Sequence, residues 1–464
     1  MTCARRGPLL LAAALLGLAA AAATPAATTS STPPSSAAAA SSAPPPAAAT
    51  RTRAVRLVDR VEGGRTVTHL TGGVLIERDS LTVASDSALF YRDEQRYDFF
   101  GGVRLTRGRA VLTCDEATYD GGLRAADFRG RVQLVDGDVT ATSTRGELRD
   151  DGALLRLIGD ARLVDPGYVV FGDTIVRRDD GGRGEATGAV RIVDPGKQSL
   201  VTGGRAVFDR ADSVVVVDRA PHLTTREQGG DPLDADARVM TFHRAENRVV
   251  MVGDVAIRQG RTRAHADTAH VQGREHVLLR GSPRVEDGDG STMTADGIEF
   301  FYRDGELERV LLEGTARVED EGPAALAEQY RGLPARNELT GDVVNIHFAD
   351  GEPHTSVVVG KARSIYVPEA DREEIACNDV AGDTILLAFR DRKVERVDVR
   401  GSMSGRYAFV RLAELDDLAG RATAVLDSLA PGGLDSLLAA LPDSLRAGAS
   451  ADSLLAAALA AAAG

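Results

Sequence analysis

Aspartate is the residue type in this sequence that recurs most regularly and that could carry out chemistry. Three aspartates lie fourteen residues after a glycine and four more have comparable places: Asp86, Asp115, Asp173, Asp236, Asp267, Asp296 and Asp342. Two carboxylates at a suitable separation can cleave a glycosidic bond. A carboxylate that recurs in unit after unit more often supports each unit through turn or backbone hydrogen bonds. We therefore expect structural aspartates and no catalytic residue.

Metal and cofactor sites are not indicated by the remaining motifs. His265 and His270 are an odd number of residues apart, which on a straight strand places them on opposite faces. The stretch "EDGDGSTM" begins like a calcium loop, but Ile298 stands where the loop needs its glutamate. No phosphate-binding loop, nucleophile elbow or H-E-x-x-H motif is present. We expect no metal and no cofactor.

The elements that position these residues form an internal repeat. Five glycines follow one another in steps of 29 residues: Gly72, Gly101, Gly130, Gly159 and Gly188. Further copies, with insertions between them, have their glycines at positions 253, 281, 314, 360 and 401, and a degenerate copy falls near Ala220. This regularity predicts about eleven units between Arg53 and Val410.

Each unit has the same alternation of apolar and other residues. In the first unit the alternating pairs are Val74 with Ile76 and Ala88 with Phe90, and Phe99 ends a third run before the next glycine. A period of two is typical of strands with one buried face. Turn signals such as "RDEQ" and "YRDG" separate the runs. The pattern predicts about three short strands in each unit.

Stacked units of this kind predict an all-β fold, an elongated repeat β-jelly roll or β-solenoid with a short helical C-terminal tail. Insertions at 219–235, 321–338 and 364–376 are expected to be loops. The apolar positions should line a shared interior. The candidates are Val74, Ile76, Ala88, Phe90, Phe99, Val103, Leu105, Phe128, Val132, Leu134, Leu157, Leu163, Val190, Ile192, Val255 and Ile257.

Four segments are expected along the chain. Residues 1–23 have the basic start and short apolar run of a signal peptide, which indicates export. Residues 24–52 form a linker rich in Ala, Ser, Thr and Pro that cannot order itself. The repeats occupy 53–410, and a break near 219–235 could divide them into two halves. Residues 411–464 are an Ala- and Leu-rich helical tail whose role is left open.

Composition excludes some classes of function. The 464-residue chain carries a net charge of −13, which argues against binding to a nucleic-acid backbone. Cys3 would leave with the signal peptide, and two distant cysteines, Cys114 and Cys377, do not make a disulfide scaffold.

The repeated Gly-x-Val-x-Leu pattern with its central Asp resembles the OstA-like family, which includes LptA-type lipopolysaccharide-transport proteins and the N-terminal domain of LptD. The stretch "GGVLIERDSLTVASDSALFYRDEQRYDFFGGVRL" carries the resemblance most clearly, and a weaker likeness extends over 53–410. The resemblance implies a periplasmic jelly roll that carries the acyl chains of lipopolysaccharide, or of a related lipid, in its interior. It also implies partners of the same fold that join through edge strands.

Two alternatives remain open from the sequence. A non-transporting envelope scaffold or adhesin would have a closed, tightly packed interior. A carbohydrate-active β-helix enzyme would have a cleft with converging carboxylates. Of the three functions, a lipid carrier that is not an enzyme fits the apolar repeat best.

Overall fold

The computed structural model describes residues 50–411, apart from gaps at 79–80, 151–152, 179–181, 195–197, 210, 227–230, 274, 289, 305, 322–335, 368–373 and 391–392. The predicted signal peptide, nearly all of the predicted linker and the predicted helical tail lie outside the described residues. The described residues form strands and turns and contain no helix. This confirms the all-β fold class.

The strands have the following bounds. The first fourteen are β1 (Arg51–Arg53), β2 (Arg56–Glu62), β3 (Arg65–Arg78), β4 (Leu81–Tyr91), β5 (Arg96–Arg107), β6 (Ala110–Asp120), β7 (Ala125–Asp136), β8 (Val139–Arg149), β9 (Leu154–Asp165), β10 (Tyr168–Arg178), β11 (Arg183–Asp194), β12 (Ser199–Asp209), β13 (Val214–Asp218) and β14 (His222–Thr225). The others are β15 (Leu233–Asp236), β16 (Val239–His243), β17 (Arg248–Gln259), β18 (Thr262–Gln272), β19 (His276–Arg280), β20 (Arg284–Glu286), β21 (Thr292–Thr294), β22 (Gly297–Arg303), β23 (Glu306–Glu321), β24 (Arg336–Ala349), β25 (Glu352–Tyr366), β26 (Glu374–Arg390), β27 (Lys393–Arg400) and β28 (Ser404–Arg411).

All of these strands belong to one antiparallel sheet. From β3 to β12 each strand pairs along its length with the next strand in the chain. A 29-residue unit is therefore two strands of 11 or 12 residues in the regular region, for example β5 with β6. The prediction of three short strands was wrong, because the apolar runs on either side of a repeat glycine belong to the same strand.

Each long strand bends near its middle. Between β3 and β4 the pairing shifts between Thr71 and Val74, where Gly72 and Gly73 have φ of 88° and 79°. Such a β-bulge turns the chain and changes which residues face inward. Because the bulges fall in line across the sheet, the sheet folds along that line, here called the corner. The apolar residues on both sides of the corner enter one continuous core.

The repeat aspartates explain why the corner needs glycine. A Cβ at Gly101 would lie 2.9 Å from Asp86 Cβ and closer still to the Asp86 carboxylate. The same arrangement recurs at Asp115–Gly130, Asp173–Gly188, Asp267–Gly281, Asp296–Gly314, Asp342–Gly360 and Asp383–Gly401. Sequence reasoning missed Asp383 and included Asp236 in error. Arg238 takes the corner position against Gly253, and Asp236 lies in β15 beside His222.

Small polar side chains satisfy backbone carbonyls at the corner. The hydroxyls of Ser85 and Ser143 donate to the carbonyl oxygens two residues later, at 3.0 and 2.7 Å. At the matching place the Cys114 thiol donates to the Glu116 carbonyl at 3.2 Å. These contacts occupy acceptors that the bulge removes from regular strand pairing.

The sheet continues through the insertion predicted at 219–235. Arg219 and Ala220 both have φ of 60° and form a corner without glycine. His222–Thr225 form β14, so this part of the predicted loop is a strand. β13 and β14 pair with the two halves of β12. The central parts of the other two predicted loops, 322–335 and 368–373, lie outside the described residues.

The corner divides the sheet into two facing layers. Layer A contains Val74 and Ile76 and ends at rim A, where Arg78 pairs with Leu81. Layer B contains Leu70 and Phe90 and ends at rim B, where Tyr91 pairs with Arg96. The interior lies between the layers, closed at the corner, and any opening must lie between the rims.

Candidate functional site

Strand register aligns apolar side chains into rows along each layer, and one such row in each layer lies between the row beside the corner and the rim. In layer A the row runs through Ile76, Val83, Leu105, Leu112, Leu134, Ala141, Leu163, Val170 and Ile192. In layer B it runs through Phe90, Tyr97, Tyr119, Ala126, Leu148, Leu155, Arg177, Gly184, Phe208 and Val215. The two rows are the walls of the interior.

Burial falls from the corner toward the rims in the first part of the chain. Val103 and Phe128, beside the corner, are each only 1% exposed. Four of the predicted interior residues that lie away from the corner are half-buried: Phe90, Leu105, Leu134 and Leu163. The other twelve predicted interior residues are buried. This gradient describes a V-shaped groove whose apolar walls reach toward solvent.

Sequence reasoning missed several wall residues because it considered only the apolar pairs directly after the glycine and after the Asp and the run before the next glycine. The missed residues include Leu81, Val83, Tyr97, Leu112, Ala126, Leu148, Leu155 and Val170. The sequence signal for these residues is the apolar alternation, which continues along the full length of both strands of a unit. This signal can be recognised only when a unit is known to contain two long strands.

A first apolar cavity lies in the groove near the N-terminal edge of the sheet. It spans about 590 Å³ of space that opens to solvent, between Ile76, Val83 and Leu105 of layer A and Phe99, Tyr119 and Phe128 of layer B. The Tyr97 ring stacks between Phe90 at 4.3 Å and Phe99 at 5.8 Å. Burial raises the pKa of the Tyr97 phenol. Arg78 of rim A stands at the mouth of this cavity.

A second cavity, with about 940 Å³ of empty space that includes open solvent, follows between β8 and β16. Here the two rims touch each other. Arg177 Nη1 of rim B lies 3.5 Å from Asp136 Oδ2 of rim A. Tyr168 of rim A stacks on Phe208 of rim B with ring centroids 6.3 Å apart, and the Arg244 guanidinium lies 4.7 Å from the Tyr168 ring centroid. These contacts bridge the mouth of the groove.

Beyond these contacts most of the interior is closed. Ile257, Leu279, Ile298, Leu312 and Val344 are all 0% exposed. Positions at rim A that are open in the first part are filled by buried residues here: Ser199, Thr225, Leu233 and Gln259. The groove therefore occupies the first part of the sheet, and the middle part has a packed core. Further along the same row of layer A, Met293, Val318 and Leu339 are half-buried again.

The corner acids are placed for structure. Arg131 donates hydrogen bonds to Asp115 and holds the pKa of that carboxyl below its usual value. A general acid of a glycosidase needs a raised pKa. His265 and His270 both point outward, since the bulge between them reverses the alternation, and they lie in different layers. Within the described residues no three His, Cys, Asp or Glu are grouped as a metal site would require.

Both cysteines of the described chain are buried and free. Burial raises the pKa of the Cys114 thiol to about 11 and also raises that of Cys377. As far as the chain is described, it has no helix long and apolar enough to cross a bilayer.

The two ends of the sheet carry exposed apolar side chains. β1 and β2 pair only with β3, and β27 and β28 pair only with β26, among the described strands. At the first edge Val55 and Val61 are exposed, and at the last edge Met403 and Tyr407 are exposed. An edge strand of this kind can accept a further strand by backbone pairing.

Comparison with known proteins finds a similarity over part of the chain. Fifteen chains of solved structures match. One is the crystal structure of LptH, the LptA-homologous periplasmic component of the lipopolysaccharide transport device from Pseudomonas aeruginosa. It is 20% identical, with a TM-score of 0.24, and the match covers 26% of this chain and 94% of that chain. No curated protein matches. Residues 53–177, here called the OstA-like segment, match the family described as OstA-like protein, which is the family that the glycine repeat resembles.

Proposed function

We propose that the protein is a periplasmic lipid carrier that holds the acyl chains of lipopolysaccharide, or of a related lipid, in the groove between its two layers. The observation that carries this proposal is that the family match and the open part of the groove fall in the same part of the chain. The OstA-like segment, 53–177, covers the first cavity and the half-buried wall around it. Apolar surface that remains open along a groove is favourable for acyl chains, because their burial removes both surfaces from water.

Charge at the mouth supports an anionic lipid. Arg78 lines the first cavity at rim A, next to apolar residues that would contact an acyl chain. A lipid with a negatively charged headgroup can place its chains between the layers while its headgroup remains near this guanidinium. No step of this binding needs a catalytic residue, so we propose a carrier and no enzyme.

The exposed edges support assembly with proteins of the same fold. A partner strand added beside β1 and β2 would cover Val55, Leu57 and Val61, whose side chains are now exposed. We propose end-to-end pairing with another jelly-roll protein through this edge or the opposite one. The proposed site of action is the periplasm, between the two membranes.

Photo-crosslinking tests the proposal. A photoreactive phenylalanine analogue at Phe90, a half-buried wall residue, should form an adduct with lipopolysaccharide. The same analogue at Arg104, which is exposed on the outer face of the adjacent strand, is the matched control and should form none. Absence of an adduct at Phe90, or equal adducts at both positions, would overturn lipid binding in the groove.

The scaffold hypothesis has a specific observation in its favour only for the later part of the chain. The packed interior from Leu223 to Val285 is the closed core that a scaffold would have. We therefore propose scaffolding as a second role of that part alone.

A further inference from the structure

The groove and the packed core meet at a defined cluster of three residues, Tyr168, Phe208 and Arg244, here called the aromatic stop. Tyr168 begins β10 at rim A, whereas Phe208 and Arg244 lie at rim B. The two rings are nearly parallel, with an interplanar angle of 2°. The cluster therefore joins the rims across the mouth of the groove.

The row of apolar side chains in layer B is interrupted just before the aromatic stop. In layer B the apolar row is interrupted at Arg177, whose neighbour in the row is Gly184. Arg177 reaches across to Asp136, which also accepts a hydrogen bond from Arg109 at 2.9 Å. This is the place where the OstA-like segment ends, at residue 177.

The aromatic stop separates two spaces. On one side lies the second cavity, with Leu163, Val170 and Ile175 in its wall. On the other side a small cavity, with about 360 Å³ of empty space that includes open solvent, is lined by Ile192, Val215 and Phe242. Beyond it the interior is filled by fully buried side chains such as Met240 and Leu233. An acyl chain that enters the open groove would meet the stacked rings before it reached Ile192.

We propose that the aromatic stop ends the lipid path, so that acyl chains occupy only the part of the interior before Tyr168. This inference rests on the proposed lipid binding and limits it. The part of the sheet after β12 then serves as a packed spacer, and a lipid must enter and leave through the groove of the first part. Tyr168 and Phe208 act as positioning residues that determine how far the acyl chains extend.

Methyl NMR of the unsubstituted full chain tests whether the lipid path ends at the aromatic stop. With labelled Leu, Val and Ile methyl groups, hexa-acylated lipopolysaccharide should shift the signals of Leu105, Leu134 and Leu163. The signals of Ile192, Leu279 and Leu312 should not move. Shifts at Leu279 and Leu312 would overturn the stop while leaving lipid binding intact. Unchanged signals throughout would overturn lipid binding and the stop together.

A double variant tests the rings themselves. In the variant Tyr168→Ala with Phe208→Ala, the second and the small cavity become one space. Addition of lipopolysaccharide should now shift the Ile192 methyl signal relative to the lipid-free variant. If that signal still does not respond while Leu105 does, packing beyond the rings ends the path, and the role assigned to Tyr168 and Phe208 is wrong. Unchanged dispersion of the Leu279 and Leu312 signals verifies that the variant is folded.

Discussion

Substitution of a corner glycine should reveal how tightly the repeat is constrained. Gly101 has φ of 76° and Gly102 has φ of 51°, so an alanine at either position adopts a left-handed conformation that costs about 1 kcal/mol. At Gly102 an added Cβ meets no atom within 4 Å. At Gly101 the same Cβ overlaps the Asp86 carboxylate and lies 2.9 Å from Asp86 Cβ. Relief of that overlap adds about 1–3 kcal/mol to the conformational cost of the Gly101→Ala substitution.

Urea unfolding followed by circular dichroism measures the difference. Gly102→Ala should lower the free energy of unfolding by about 1 kcal/mol, and Gly101→Ala by about 2–4 kcal/mol. Adding Asp86→Gly to Gly101→Ala removes the overlapping side chain, so the double variant should lose less than the sum of its single variants. Equal losses for the two alanine variants, or strictly additive losses in the double variant, would refute packing of Asp86 against the corner.

Three further results are expected. Burial raises the Cys114 pKa to about 11, so this thiol should react with a disulfide reagent at pH 8 only after the chain unfolds. Fast reaction of the folded chain would contradict its burial. Hydrogen bonds from Arg363 hold the Asp379 pKa below its usual value. This pair therefore stabilises the fold above about pH 4, and the stabilisation is lost as the pH falls through the pKa of the folded state. Carboxyl NMR should show a higher Asp379 pKa in Arg363→Gln, and an unchanged titration would exclude the pairing. Leu279→Ala, in the packed core, should cost about 2–5 kcal/mol in urea unfolding, and a loss under 1 kcal/mol would show that this part is not closely packed.

The sequence predicts the repeat architecture because its two strongest signals have simple physical causes. A left-handed corner favours glycine, and the facing Asp leaves no room for a Cβ, so the pairing of Asp86 with Gly101 recurs at six further repeat glycines of the described chain. The number of strands was misjudged because Gly101 stands within β5 and not at its end. A glycine between two apolar alternations looks like a turn until pairing on both sides is known.

The extent of the groove could not be predicted, because open and packed interiors use the same residue types. Leu105 and Ile257 both fit the alternation and lie in the same row of layer A, yet the first is half-buried and the second is fully enclosed. Arg177, a charged residue in an apolar row, carries a local signal of the change.

Native mass spectrometry of the chain with lipopolysaccharide tests the central claim most directly, since it counts bound lipid. The groove variant Leu105→Gln with Leu134→Gln places amides in the half-buried wall, while Leu123→Gln changes an exposed leucine as a control. The account predicts a lipid-bound species for the unaltered chain and for Leu123→Gln, and its loss in the groove variant. A lipid-bound species that persists in the groove variant, or that is absent from the unaltered chain, would contradict lipid binding between the two layers.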